Sequence, residues 1–165
     1  MGSRMKKYIL LLLIPLLLLS ACRASAADTD CATLGARIAS NLSQSEELKP
    51  VDEDFLESVF DFTAKTEQRV LLLDSTDAAT REIGIFRATD TVGCADIEKN
   101  IRAYLKNEQD SLISLQTLYP SNDLDERLWR YQNATVLTKG NTVAYFVLSD
   151  EEAKIAKNAF LTAFE

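Results

Sequence analysis

A run of six apolar residues at positions 143–148 constrains the fold more than any other feature of the sequence. Apolar and polar residues do not alternate in this run, which indicates a strand that is buried on both faces. The run follows Gly140 and Asn141, a pair that suits a two-residue hairpin turn because glycine readily takes a positive φ. We therefore predict a hairpin formed by residues 132–139 and 142–149, whose second strand is buried on both faces.

Two more strands and one long helix precede this hairpin. Residues 68–74 and 82–89 are rich in aliphatic and aromatic side chains and predict strands that are joined by a turn of serine, threonine and aspartate. Apolar residues at helical spacing between positions 97 and 119 predict a long helix that ends at Pro120. We expect the polar segment between this helix and the hairpin to be a loop.

Three shorter helices complete the prediction. Apolar residues four apart predict a helix over residues 32–43, and a second helix follows the acidic run 51–54, whose carboxylates suit the positive end of a helix dipole. A capping box formed by Ser149 and Glu152 predicts a C-terminal helix.

This order predicts an α+β fold. Its simplest form is a two-layer sandwich, in which a four-stranded, mainly antiparallel sheet carries the long and the C-terminal helices on one face. Because the strand over residues 143–148 needs cover on both sides, something must also lie on the second face. We expect the two N-terminal helices there, and a protein partner or a second copy is the alternative.

The first 22 residues predict where the protein is located. Arg4, Lys6 and Lys7 precede an apolar run over residues 8–19, and small residues then lead to Cys22, as in a bacterial lipoprotein signal. The alternative is an uncleaved membrane anchor, but twelve apolar residues rise only about 18 Å as a helix, against a hydrocarbon core of about 30 Å. The sequence therefore predicts cleavage before Cys22 and a diacylglycerol on its thiol, which would hold the protein on the extracytoplasmic face of the cell membrane.

This interpretation divides the chain into three parts. Residues 1–21 are the predicted signal peptide, residues 22–30 a small and polar tether, and residues 31–165 a single domain. Residues 1–21 contain three of the 18 basic residues and none of the 25 acidic ones, so the rest of the chain has a formal charge of about −10. Such acidity excludes a nucleic-acid partner, which requires a basic surface. The expected partners are the membrane, through the lipid, and an unidentified envelope protein, peptide or solute.

Two further cysteines, Cys31 and Cys94, lie in the predicted domain. Disulfides persist outside the cytoplasm, so these two residues are candidates for a bridge. The alternative is a pair of independent buried thiols, and the sequence leaves both possibilities open.

Residues 55–164 resemble a family of small bacterial lipoproteins known as domain of unknown function 4358. The resemblance depends on the strand EIGIFRA at residues 82–88, on Tyr119 and Pro120 after the long helix, and on the segment 139–141 that opens an apolar strand. A longer insertion around residues 91–95 departs from the family pattern. The resemblance implies a lipoprotein, and it implies no activity and no catalytic residues.

The residues available for chemistry are few. The chain has no histidine and only five glycines, which excludes histidine-activated nucleophiles, the usual zinc sites and a phosphate-binding glycine loop. The acidic run 51–54 lacks the glycine and the further oxygen ligands of a calcium loop, so we expect neither a metal nor a cofactor.

Two classes of function remain. Glu108 falls in the apolar stripe of the long helix, where burial could make it a general acid, although such a residue more often reaches water at the end of the sheet. We predict a non-catalytic binding or accessory module. The alternative is an envelope hydrolase or transferase that uses carboxylates such as Glu108 with Asp110 or Glu126.

Overall fold

The computed structural model of the chain describes residues 29–60, 66–74 and 80–165. The predicted signal peptide, Cys22 with most of the tether, and most of the turn between the first two predicted strands lie outside the described residues. In the described part, no helix is both long enough and apolar enough to cross a membrane.

The fold is α+β, as predicted, with one five-stranded antiparallel sheet in the order β1-β2-β3-β5-β4. The elements follow one another as α1 (Cys31–Ala39), a 3₁₀ turn (Ser45–Glu47), β1 (Leu48–Pro50), α2 (Glu53–Val59), β2 (Thr66–Asp74), β3 (Glu82–Ala88), α3 (Thr91–Leu118), α4 (Asn122–Gln132), β4 (Thr135–Lys139), β5 (Thr142–Val147) and α5 (Asp150–Thr162). All residues of β3 and β5, two of the three inner strands, are buried. This confirms that residues 143–147 form a strand covered on both faces, with Leu148 just after its end, and that the hairpin turns at Gly140, which has a φ of +60°.

Two elements differ from the prediction. The segment expected to be a polar loop contains α4, because Ser121 caps the helix by accepting a hydrogen bond from the Leu124 amide at 3.2 Å, and Leu124, Leu128 and Tyr131 share its inner face. The polar link around Pro50 contains β1, a fifth strand of three residues that pairs with β2. Strand β1 was missed because its only buried residue is Leu48, which gives no recognisable pattern.

The layering also differs from the predicted two-layer sandwich. The long helix α3 and the C-terminal helix α5 lie on opposite faces of the sheet, so the fold has three layers. Helices α1 and α5 share one hydrophobic core with the odd-numbered positions of β3, and α2, α3 and α4 share the other core with Phe86 and Tyr145. Two fully buried inner strands require apolar cover on both faces, and these helices provide it on each side.

The predicted tether meets the domain at one end of β3. The guanidinium of Arg87, near the C-terminal end of β3, donates a 2.7 Å hydrogen bond to the carbonyl of Thr29. The next helix, α3, begins three residues after β3 ends and runs for 28 residues, a rise of about 42 Å.

Candidate functional site

The carboxylates proposed for catalysis do not converge on one cleft. Glu108 is half-buried on the inner side of α3, whereas Asp110 is exposed and forms an ion pair with Lys106 one turn away. Glu126 is exposed on α4 and forms an ion pair with Arg130. The sequence placed Glu108 and Asp110 on the correct helix and Glu126 in a segment expected to be a loop, and the structure does not bring the three into a shared site.

A buried carboxyl group lies close to Glu108, at the start of β3. Glu82 is only 2% exposed and accepts hydrogen bonds from three tyrosine hydroxyls. Its Oε1 accepts from Tyr104 at 2.8 Å and also from Tyr131, and its Oε2 accepts from Tyr145 at 2.9 Å. We call these four residues the Glu82 network. The network joins four elements, because Tyr104 lies on α3, Tyr131 on α4, Tyr145 on β5 and Glu82 on β3.

Glycine at position 84 makes this arrangement possible. Gly84 lies directly opposite Tyr145 in the β3–β5 pair. The Tyr145 ring lies flat over Gly84, since a Cβ built there would be only 2.1 Å from the ring atom Cε1. In that position the Tyr145 hydroxyl reaches back along β3 to Glu82.

The environment of the Glu82 network disfavours negative charge. Burial raises the pKa of the Glu82 carboxyl above its usual value, although the three hydroxyl donors act in the opposite direction. The charge of Glu108 raises it further. Burial, followed by the nearby Glu82 carboxyl, also raises the pKa of Tyr104, Tyr131 and Tyr145, so their hydroxyls stay protonated at any physiological pH.

The residue before Glu82 points to the other face and forms a second polar cluster. Arg81 is 4% exposed, and all five of its N–H groups have acceptors. Three are carboxylates, namely Asp74 at 2.9 Å, Glu47 at 2.9 Å and Glu152 at 3.2 Å. The other two are the carbonyls of Ser43 and Gln44, at 2.8 and 3.1 Å.

These contacts shift the pKa values of Arg81 and Glu152. Burial alone would lower the pKa of Arg81, but its hydrogen bond and ion pair with Asp74 raise it above the usual value. Burial alone would raise the pKa of Glu152, but the Ser149 hydroxyl and the Arg81 charge hold it below the usual value. Both groups are therefore charged near neutral pH.

A surface cleft of about 640 Å³ opens over this cluster, and we call it the Arg81 cleft. It lies between the segment 43–47, the end of β2, the start of β3, Arg130 of α4 and the start of α5. Its charged lining residues are Glu47, Asp74, Glu151 and Glu152 against Arg81 and Arg130. The four carboxylates outnumber the two guanidinium groups, and Arg81 has no N–H left to donate, so the lining of the cleft carries a formal excess of negative charge.

Neither cluster was identified from the sequence. Arg81 and Glu82 lie at the start of a strand, where charged residues are common, and their partners are distant in the chain. One signal was available: within the EIGIFRA strand, Glu82 and Gly84 lie on the same face of β3, which proved to be a buried face.

The two cysteines are free thiols in different cores. Cys31 is buried in the core formed with α1 and α5, and Cys94 is buried on α3 on the other side of the sheet. In the structure the two residues are therefore independent buried thiols and do not form a disulfide bridge. Burial raises the pKa of the Cys31 thiol to about 11 and also raises that of Cys94, which makes both poor nucleophiles.

The comparisons with known proteins add no function to this geometry. No protein-family model, curated protein or solved structure matches the chain. Across residues 29–60, 66–74 and 80–165, no three cysteine or acidic side chains are grouped so that they could hold a metal ion.

Proposed function

We propose that this protein is a lipid-anchored, extracytoplasmic binding module that receives the cationic group of a solute or peptide in the Arg81 cleft. The observation that carries the proposal is the charge arrangement of the cleft. Four carboxylates face two guanidinium groups, and the N–H groups of Arg81 are all bound within the protein. The volume of the cleft lies in the range of small-molecule sites.

The alternative is a carboxylate-based hydrolase or transferase. Such an enzyme needs a carboxyl group that holds a proton near neutral pH beside a second, ionised one. In the Arg81 cleft the pKa of Glu152 is lowered, which disfavours a general acid there. Glu82 has a raised pKa, but it is buried under three tyrosine side chains. These observations favour binding over catalysis.

The anchor and the family resemblance are parts of the same proposal. The EIGIFRA motif is the inner strand β3, Tyr119 directly follows α3, and Gly140 forms the turn before β5. The residues that carry the resemblance to the lipoproteins of domain of unknown function 4358 thus occupy defined positions in the fold.

Metabolic labelling with palmitate tests the anchor. We expect the wild-type chain to incorporate the label and a Cys22→Ser variant to remain unprocessed and unlabelled. Incorporation into Cys22→Ser would contradict acylation at this cysteine and would leave the proposal for the cleft standing.

Calorimetric titration with spermidine, a cationic probe, tests the cleft. We expect binding that weakens about 3- to 10-fold in Glu151→Gln, because an exposed carboxylate of the cleft is lost. Asp96→Asn is the matched control, since it removes an equal charge from the exposed side of α3, on the other face of the sheet. Absence of binding, or equal weakening by both substitutions, would contradict a specific cationic site.

A further inference from the structure

The Glu82 network uses polar side chains to attach the helical hairpin formed by α3 and α4 to the sheet. Tyr104 and Tyr131 bring one hydroxyl from each helix to Oε1 of the same buried carboxyl group. The two helices also bind each other there, since Gln109 Nε2 donates to the Tyr131 carbonyl at 3.0 Å. The protonation state of Glu82 therefore affects hydrogen bonds of both helices.

The titratable groups that act on Glu82 come from two helices and one strand. On α3 they are Tyr104 and Glu108, on α4 Tyr131, and on β5 Tyr145. The aromatic ring of Phe60, just after α2, contacts the Tyr104 and Tyr145 rings at centroid distances of 4.9 and 6.1 Å.

Three arginines of the neighbouring segments are engaged elsewhere, and a fourth, Arg127, lies one turn before Tyr131 on α4 with a buried Nε that has no hydrogen-bond partner. Arg81 points to the other face of the sheet and binds the carboxylates of the Arg81 cleft. Arg130 binds Glu126 and the Thr80 carbonyl, and Arg69 binds Glu53 and Glu57 of α2. An ionised Glu82 would thus be stabilised by neutral hydroxyls and opposed by Glu108, with no cation among its hydrogen-bond partners.

We propose that Glu82 is a pH-sensitive attachment point, which holds the α3–α4 hairpin on the sheet when it is protonated and releases it more readily when it is ionised. When it is protonated, Glu82 donates its own O–H to one of the three tyrosine oxygens, and that tyrosine hydroxyl no longer donates to Glu82. The carboxyl group and the three tyrosines then form a neutral network that suits a buried site. Loss of the proton leaves a negative charge in the core beside Glu108, a state that opening of the hairpin to water relieves.

The sign of the pH dependence follows from linkage. The pKa of Glu82 is higher in the folded state than in an opened one, where it returns to about 4.3. Its protonation therefore stabilises the closed state fully below about pH 4.3, and this contribution is lost as the pH rises through the folded-state pKa. Between these limits, the equilibrium constant for opening that exposes Glu82 should rise about tenfold per pH unit from this group alone.

The experiment compares the full chain, purified in a mild detergent, with Glu82→Gln and with Asp96→Asn. Hydrogen exchange, corrected for the intrinsic effect of pH on amide exchange, gives the opening equilibrium of each helix from pH 5 to 8. We expect the wild type and Asp96→Asn to open α3 and α4 increasingly with pH relative to Glu82→Gln. Helices α1 and α5, on the other face, should show no such difference. Equal pH dependence in Glu82→Gln and wild type would overturn the proposal.

Infrared spectroscopy of the wild type provides a test that does not depend on a variant folding. A protonated carboxyl group gives a C=O band distinct from that of a carboxylate. We expect this band to persist above the pH range of ordinary glutamates and to disappear over the range in which α3 and α4 begin to exchange faster. The absence of a protonated carboxyl band above pH 5 would contradict the proposal, as would its loss without any change in exchange.

Discussion

Replacing Gly84 by alanine should damage the fold far more than one methyl group normally does. The added Cβ would lie 2.1 Å from Cε1 and 2.6 Å from Cδ1 of Tyr145, whereas ordinary carbon contacts are about 3.5–4.0 Å. The Tyr145 ring must therefore move by more than 1 Å, in a core where it has no exposed surface. A shift of that size also breaks its 2.9 Å hydrogen bond to Glu82.

The expected cost combines two effects. Overpacking of a core costs about 1–3 kcal/mol, and a buried carboxyl group that loses a donor costs about 1–3 kcal/mol more. The lower backbone entropy of unfolded alanine returns up to about 1 kcal/mol. We expect Gly84→Ala to lower the free energy of unfolding by about 2–5 kcal/mol.

Urea unfolding followed by circular dichroism measures this change, and Gly35→Ala is the matched control. Gly35 is also buried, but its added Cβ would approach Val70 Cγ1 no closer than 3.2 Å, and alanine favours the helix α1 by about 1 kcal/mol. We expect Gly35→Ala to stay within about 1 kcal/mol of the wild type. Equal midpoints for the two variants would refute the close packing of Tyr145 over Gly84.

Three other predictions concern the turn, the Arg81 cleft and the thiols. Gly140→Val should lower the free energy of unfolding by about 1–3 kcal/mol, because φ is +60° there; Gly140→Asn should retain most of the stability, and equal losses would contradict a conformational cause. Arg81→Met should cost about 3–5 kcal/mol in a urea titration, since it leaves buried carboxylates unpaired, whereas Arg102→Met at the surface should cost at most about 1 kcal/mol. A thiol reagent should label Cys31 and Cys94 only after unfolding, and rapid labelling of the native protein would contradict their burial.

Local patterns predicted the elements well and their arrangement only in part. The apolar run before Leu148, the glycine turn at position 140 and the cap at Ser149 each act over a few residues, so the sequence carries them directly. Helix α4 was missed because its charged residues hide the spacing of Leu124, Leu128 and Tyr131. The signal was nevertheless present in the Ser121 cap.

The layering and the clusters could not be read from local patterns. Whether α3 and α5 share a face depends on how the sheet is connected, and apolar spacing within a helix contains no such information. The Glu82 network joins residues up to 63 positions apart. Glu108 was identified from the sequence because of its place in an apolar stripe, and it lies beside this network. The sequence did not reveal its buried neighbour, the Glu82 carboxyl group.

The direction of β3 separates the point where the chain enters the domain from the Arg81 cleft. Arg87 binds the incoming chain at one end of this strand, and Arg81 lies six residues earlier, about 20 Å away at the other end. If the lipid on Cys22 holds the chain as proposed, the anchored chain would enter the domain at the Arg87 end of β3. The Arg81 cleft would then lie at the opposite end of the strand from this entry point. A ligand could enter it from the bulk medium without crossing the headgroup layer, and a partner protein could reach it without contact with the bilayer.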